Sequence, residues 1–279
     1  MKRTMSIRWL ELFERKLRSE DRSDSTVSKY MHDVRVFCDH VSGKRLTRKE
    51  VLGYREWLVT RYTVRSANSM IAALNSFLRC ISKPELCVRS YRVQRDAYSP
   101  ESKELSRDEY VRLVERARGD GNDRLELVMQ TICGCGLRVS ELSCITVESV
   151  RRGEAYVCCK GKTRRIFIVD GLRRRLLRYA TSHGIRSGQI FVTRTGRPMS
   201  RHNVWREMKH VSILADVTST KVFPHNLRHL FARTFYEKQR DIVRLADILG
   251  HSSVDTTRIY VMTSGVEHRR QMEQMRLII

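Results

Sequence analysis

The chain has 279 residues, with 54 Lys and Arg against 31 Asp and Glu and a formal charge of +23. Residues 1–100 hold 21 basic and 11 acidic side chains and residues 101–279 hold 33 and 20, so the excess is not a lone basic tail and points to a polyanionic partner for both halves. At 41% hydrophobic and 30% charged, the composition excludes a solvated disordered chain and suits two domains, each with its own core.

Met1-Lys2-Arg3 has the charge of a signal-peptide start, but Arg8, Glu11, Glu14 and Arg15 interrupt the apolar residues that follow. No run approaches the ~18 apolar residues of a membrane span. A cytoplasmic protein with no membrane partner is expected.

Helices are predicted over the first 81 residues. Ile7, Leu10, Phe13 and Leu17 share a face, and after the Ser23-Asp24-Ser25 cap signal Val27, Met31, Val34 and Phe37 form a second stripe. Thr47, with Glu50 three residues on, caps a third helix carrying Val51, Tyr54 and Leu58. The fourth carries Ala67, Ile71, Leu74 and Leu78, with Arg65 and Asn68 among its polar positions. Periodicity lapses from Ser82 to Leu105, where Pro84 and Pro100 fall. The expected domains are therefore 1–82, a helical bundle; 83–105, a linker; and 106–279, a second domain.

Helical pattern resumes after Ser106, pauses at Gly119-Asp120-Gly121 and runs apolar from Leu125 to Leu137. Ala155–Cys159 and Arg165–Val169 read as strands joined by the basic turn Lys160–Arg164, and Gln189–Thr193 as a further short strand. The rest is helical: about 201–214, 224–238, 241–249 and 254–261, then a C-terminal segment ending Met275–Ile279. The predicted fold is mainly α with a small antiparallel sheet in the second domain. The eight cysteines lie mostly among apolar neighbours, and Cys133-x-Cys135 and Cys158-Cys159 lack the usual two-residue gap of a zinc site, so reduced thiols and no metal are expected.

Polar chemistry gathers in three segments of the second half: Gly136-Leu137-Arg138-Val139-Ser140-Glu141-Leu142, His225-Asn226-Leu227-Arg228-His229, and Leu249-Gly250-His251 with Tyr260 nine residues on. His225, Arg228 and His229 stand at i, i+3 and i+4 of a first helical turn, so they are expected to project together as a phosphate site; a solvated polar face is the other reading of that segment alone.

Taken in order with the Lys160 hairpin, these segments resemble the tyrosine recombinase (phage integrase) family, of the compact Xer-like two-domain type. The resemblance covers residues 106 to 260; the first half is similar to the family's helical core-binding domain in size and character only. It implies a site-specific recombinase that cleaves and rejoins DNA through a 3′-phosphotyrosine, conserving the bond energy in the covalent link.

By that resemblance Tyr260 is the nucleophile, Arg138 and Arg228 bind the non-bridging oxygens, and Lys160 protonates the leaving 5′-oxygen, with Lys162 as the alternative. His225 helps accept the phenol proton and His251 donates to the scissile phosphate. His229 is an added donor or support, and Glu141 orients the arginine. No cofactor or metal is implied. The implied partners are double-stranded DNA, with Arg65 and Asn68 as positions able to read its bases, three further copies in a homo-tetramer on two synapsed sites, and accessory DNA-bending proteins.

The apolar C-terminus is expected to dock on a neighbouring protomer or on its own domain. With no separate arm-site-binding domain expected ahead of the first helix, an Xer-like resolvase, an inverting switch and a mobile-element integrase all stay open. The alternatives are a type IB topoisomerase and a non-catalytic DNA-binding protein.

Overall fold

The computed structural model describes residues 7–93, 103–159, 162–251, 253–258 and 272–275. Lys160, Tyr260 and the C-terminal residues 276–279, each named above, lie outside the described residues. The chain divides into two compact units, Met1–Arg95 and Asp96–Ile279.

The first unit holds helices α1 (Ile7–Ser19), α2 (Asp24–His40), α3 (Arg48–Arg61) and α4 (Val64–Cys80). Ser23 and Thr47 cap α2 and α3 as expected, each side-chain oxygen accepting a hydrogen bond from the backbone three residues on, and Thr63 caps α4 in the same way. The apolar stripes meet in one core, where Phe13 packs edge-on to Phe77 at 5.5 Å and Phe37 to Tyr54 at 5.0 Å. Asn68 does not present its amide for base reading. Its Nδ2 donates to the Tyr91 carbonyl at 2.9 Å and its Oδ1 accepts from the Tyr91 backbone at 2.8 Å. Asn75 makes the same two-way pair with Val88, so the chain leaving α4 is tied back to the bundle by backbone groups that would otherwise lack partners. Arg65 stays exposed.

The second unit runs α5 (Arg107–Gly119), α6 (Asp123–Cys135), a short 3-10 helix (Val139–Cys144), α7 (Val147–Arg152), β1 (Glu154–Cys159), β2 (Lys162–Phe167), α8 (Asp170–Ser182), α9 (Arg201–Leu214), α10 (Pro224–Gln239), α11 (Ile242–Leu249) and α12 (Val254–Arg258). The apolar run 125–137 becomes α6, which packs against α5, α8, α9 and α10 and buries Leu125, Val128, Met129 and Ile132 completely. A helix touched on several sides buries residues nearly all round, and its polar Glu126 is buried too, held by Arg118 and Arg175.

The sheet has two antiparallel strands in the register Cys159↔Lys162 to Glu154↔Phe167. The second strand thus begins at Lys162, not Arg165, because two residues suffice to join antiparallel strands. Gln189–Thr193 forms no strand. It makes only isolated bridges, Thr146↔Gln189 and Val192↔Pro198, since left-handed glycines at 188 and 196 turn the chain at both ends of the segment.

Candidate active site

The site begins where α6 stops. Gly136 takes a left-handed φ of +62° and its backbone N–H closes the helix on Ile132. The chain then extends through Arg138 and re-coils as the 3-10 helix, with Glu141 at its third residue. A Cβ at Gly136 would stand 2.7 Å from the Phe231 ring. Gly136→Ala is therefore expected to cost about 2–4 kcal/mol, combining left-handed strain with overpacking; urea denaturation measures it.

Glu141 organises the site. Its carboxylate is only 6% exposed and accepts from the Arg138 guanidinium at 2.8 Å, the Arg138 backbone N–H at 2.8 Å and Arg164 at 2.5 Å. Arg228 lies 3.9 Å away. Burial acts to raise the Glu141 pKa, but the two Arg138 donors and Arg164 outweigh it and hold the carboxyl below its ordinary range.

Arg228 is fully buried. This corrects the expectation that it projects beside His225 and His229, for only His225 is exposed and His229 is half-buried. The i+3 position of α10 faces α6 and α11, and the Arg228 guanidinium donates at 2.7 Å to the carbonyls of Gly136 and Leu249, the C-terminal ends of those two helices. A cation is well placed there because both helix dipoles present their negative ends.

A third Arg228 N–H, on the same nitrogen that reaches Leu249, meets Nε2 of His251 at 3.0 Å. A guanidinium has no acceptor, so Nε2 must be the unprotonated nitrogen and Nδ1 carries the proton, which it donates to the hydroxyl of buried Thr257 at 2.8 Å. Thr257 lies on α12, three residues before Tyr260 in sequence.

Burial and neighbouring cations favour the neutral form of His225, His229 and His251. Burial and then the neighbouring Arg228 push His251 down to about 4; burial, then His225 and Arg233, do the same for His229. His225 is also lowered, through partial burial of its ring and nearby Arg228, Arg138 and Arg201. It sits edge-on to His229 at 4.8 Å.

Groups with pKa depressed from 6.5 to about 4 bind fewer protons folded than unfolded in that interval. Stability is therefore expected to fall as the pH drops from 6.5 toward 4, with the low Glu141 pKa acting in the same direction below 4.5. Urea midpoints at pH 7 and pH 5 check this, and a midpoint unchanged or higher at pH 5 would contradict it.

The structure thus brings Arg138, Glu141, Arg228 and His251 together, with His225 and His229 at the N-terminus of α10. Arg164 was missed by the sequence reading. Its signal was strand parity, since Arg164, Ile166 and Ile168 alternate on one face and both isoleucines are buried. Among the described residues no group of three or more His, Cys, Asp or Glu side chains is gathered to hold a metal.

Comparison with known proteins decides the family. Residues 103–265 match the model of the phage integrase family. The chain belongs to that family. Residues 10–83 match the phage integrase N-terminal SAM-like domain, which accounts for the helical bundle. Among relatives of this chain, tyrosine recombinase XerD of Pseudomonas aeruginosa is 30% identical over 260 residues, covering 85% of this chain and 86% of its own. Tyrosine recombinase XerA of Pyrococcus furiosus is 28% identical, covering 99% of this chain and 96% of its own. In fold, the chain is similar to that of a lambda integrase tetramer bound to a Holliday junction, with a TM-score of 0.73 at 19% identity, covering 91% of this chain and 76% of that one.

Proposed function

We propose that this member of the phage integrase family is a site-specific DNA recombinase of the Xer-like type, cleaving and rejoining strands through Tyr260. The observation that carries the reading is the meeting of Arg138 and Arg228 at the Glu141 carboxylate with His251 bonded to Arg228, from segments as far apart as residues 138 and 251, with Tyr260 nine residues beyond His251 in sequence.

In this reading the Tyr260 oxygen attacks the scissile phosphorus and the bond to the 5′-oxygen breaks. Neutral His225 helps take the phenol proton, and Lys160, or Lys162, gives a proton to the departing 5′-oxygen. Arg138, whose side chain is 33% exposed, is open to a non-bridging oxygen as it stands. Arg228 joins when phosphate replaces His251 as the acceptor of its N–H, an exchange favoured because a phosphate oxygen carries charge and a neutral imidazole does not. The same exchange releases Nε2 of His251, which donates to the phosphate once the ring proton sits there and Nδ1 accepts from the Thr257 hydroxyl.

The free hydroxyl of a partner strand then attacks the phosphotyrosine and reseals the backbone without ATP. Residues 1–82 serve as the core-binding domain, 83–105 as the linker and 106–279 as the catalytic domain. The surplus positive charge of both halves suits a grip on duplex phosphates, most of it blind to sequence. A cytoplasmic homo-tetramer on two synapsed sites, assisted by DNA-bending proteins, completes the proposal, which draws support from the multimer seen in the lambda integrase structure.

The test is a nicked suicide duplex carrying DNA that flanks the gene, incubated with the protein without ATP. A covalent protein–DNA adduct together with strand exchange between two sites is expected. No adduct with any flanking DNA would favour a binding-only protein, and supercoil relaxation without exchange would favour a topoisomerase.

A further inference from the structure

We infer that Arg164 is a positioning residue for strand cleavage, fixing the Arg138 guanidinium and the segment that bears His251 through one planar group. The inference rests on the recombinase reading above.

Arg164 sits on β2 with its side chain only 12% exposed. One guanidinium nitrogen holds Oε2 of Glu141 at 2.5 Å and another holds the Ile248 carbonyl at 2.5 Å. Glu141 in turn fixes Arg138 through its other oxygen. Ile248 lies in the last turn of α11, two residues before Gly250 swings the chain, at φ +65°, into His251. A single side chain therefore ties the strand, the 3-10 helix and the end of α11 together, and two of the three are the immediate supports of phosphate-facing groups.

A lysine carries the same charge but presents one nitrogen, which cannot span both acceptors in a fixed plane. Gly250 belongs to the same device. A Cβ there would stand 2.4 Å from Cδ of Arg164, so the missing side chain makes the room through which the arginine passes. Burial at this level also separates Arg164 from its neighbour Arg165, which is half-exposed, pairs with Glu154 and stacks on Phe167.

The experiment measures single-turnover cleavage of the suicide duplex at saturating protein. Two forms of the duplex are used, one with a normal scissile phosphate and one with a methylphosphonate there, which removes the charge an arginine would neutralise. Arg164→Gln, Arg164→Lys and Gly250→Ala are compared with wild type and with Arg165→Gln as the charge-matched control. On the normal phosphate, Arg164→Gln is expected to be about 100-fold slow, the scale of a roughly 1 Å misplacement at a reacting centre. On the methylphosphonate the deficit relative to wild type is expected to shrink to within about fivefold, because its transition state carries one negative charge fewer and depends less on a displaced donor.

Gly250→Ala is expected to show the same pattern while retaining the arginine, and Arg164→Lys not to rescue it. Should Arg164→Gln fail to fold, the Arg164→Lys and Gly250→Ala comparisons decide alone. An equal deficit on both substrates, or cleavage by Arg164→Gln at the Arg165→Gln rate, overturns the positioning role while leaving the recombinase reading intact. A wild-type chain that forms no adduct overturns both.

Discussion

Tyr260→Phe is expected to abolish the covalent adduct on a suicide duplex while leaving duplex binding near the wild-type level. The loss should be complete, not graded, because the phenol oxygen is the atom that replaces the 5′-oxygen on phosphorus, and a phenyl ring has nothing to put there. Binding should persist because it is supplied by many dispersed cations, of which a neutral phenol is not one. Tyr236, on α10, is the comparator: it precedes Tyr260 as the nearest other tyrosine and stacks under Arg240 at 5.7 Å. Tyr236→Phe should leave the adduct intact. A denaturing gel of end-labelled duplex reads both variants, and an adduct that survives Tyr260→Phe would move the nucleophile elsewhere.

Arg228→Met is expected to damage stability and cleavage together. The substitution keeps a long side chain but strips donors from the Gly136 and Leu249 carbonyls, both inside the fold, and removes one of the cations facing Glu141. Breaking a buried charged pair in this way costs about 3–5 kcal/mol of folding stability. The loss of a preorganised donor to the transition state adds about 2.7–4 kcal/mol to the cleavage barrier, or a factor of about 100 to 1,000 in rate.

Arg138→Met separates the two effects. Its side chain is a third exposed, and Glu141 keeps Arg164 and the Arg138 backbone N–H, so cleavage should fall as far while the unfolding midpoint moves much less. Guanidinium denaturation and single-turnover cleavage of the three proteins make the comparison. If Arg228→Met unfolds and cleaves like wild type, the buried guanidinium has neither role.

How far the sequence could be read depended on the range of the interactions. The four helices of the first unit were legible because stripes such as Val27, Met31 and Val34 repeat within one helix, and because Ser23 and Thr47 cap through residues only three positions away. The start of β2 was misread, since the spacing alone did not show that pairing resumes after only two intervening residues. Asn68 was misread because its partner, Tyr91, lies 23 residues further on. Arg164 escaped notice because its two partners stand 23 and 84 residues away in the chain.

The sequence by itself therefore determined the positive charge, the order of the helices, the caps and the ordered set of polar motifs that carried the family resemblance, because each is a property of composition or of neighbours a few residues apart. Only the tertiary structure decided that Arg228 is buried at two helix ends, that His251 accepts on Nε2 and donates from Nδ1, and that the pKa values of His225, His229 and His251 are lowered. Those properties depend on which distant carbonyls, cations and hydroxyls are packed around each group once water is removed, and no local spacing specifies that surrounding.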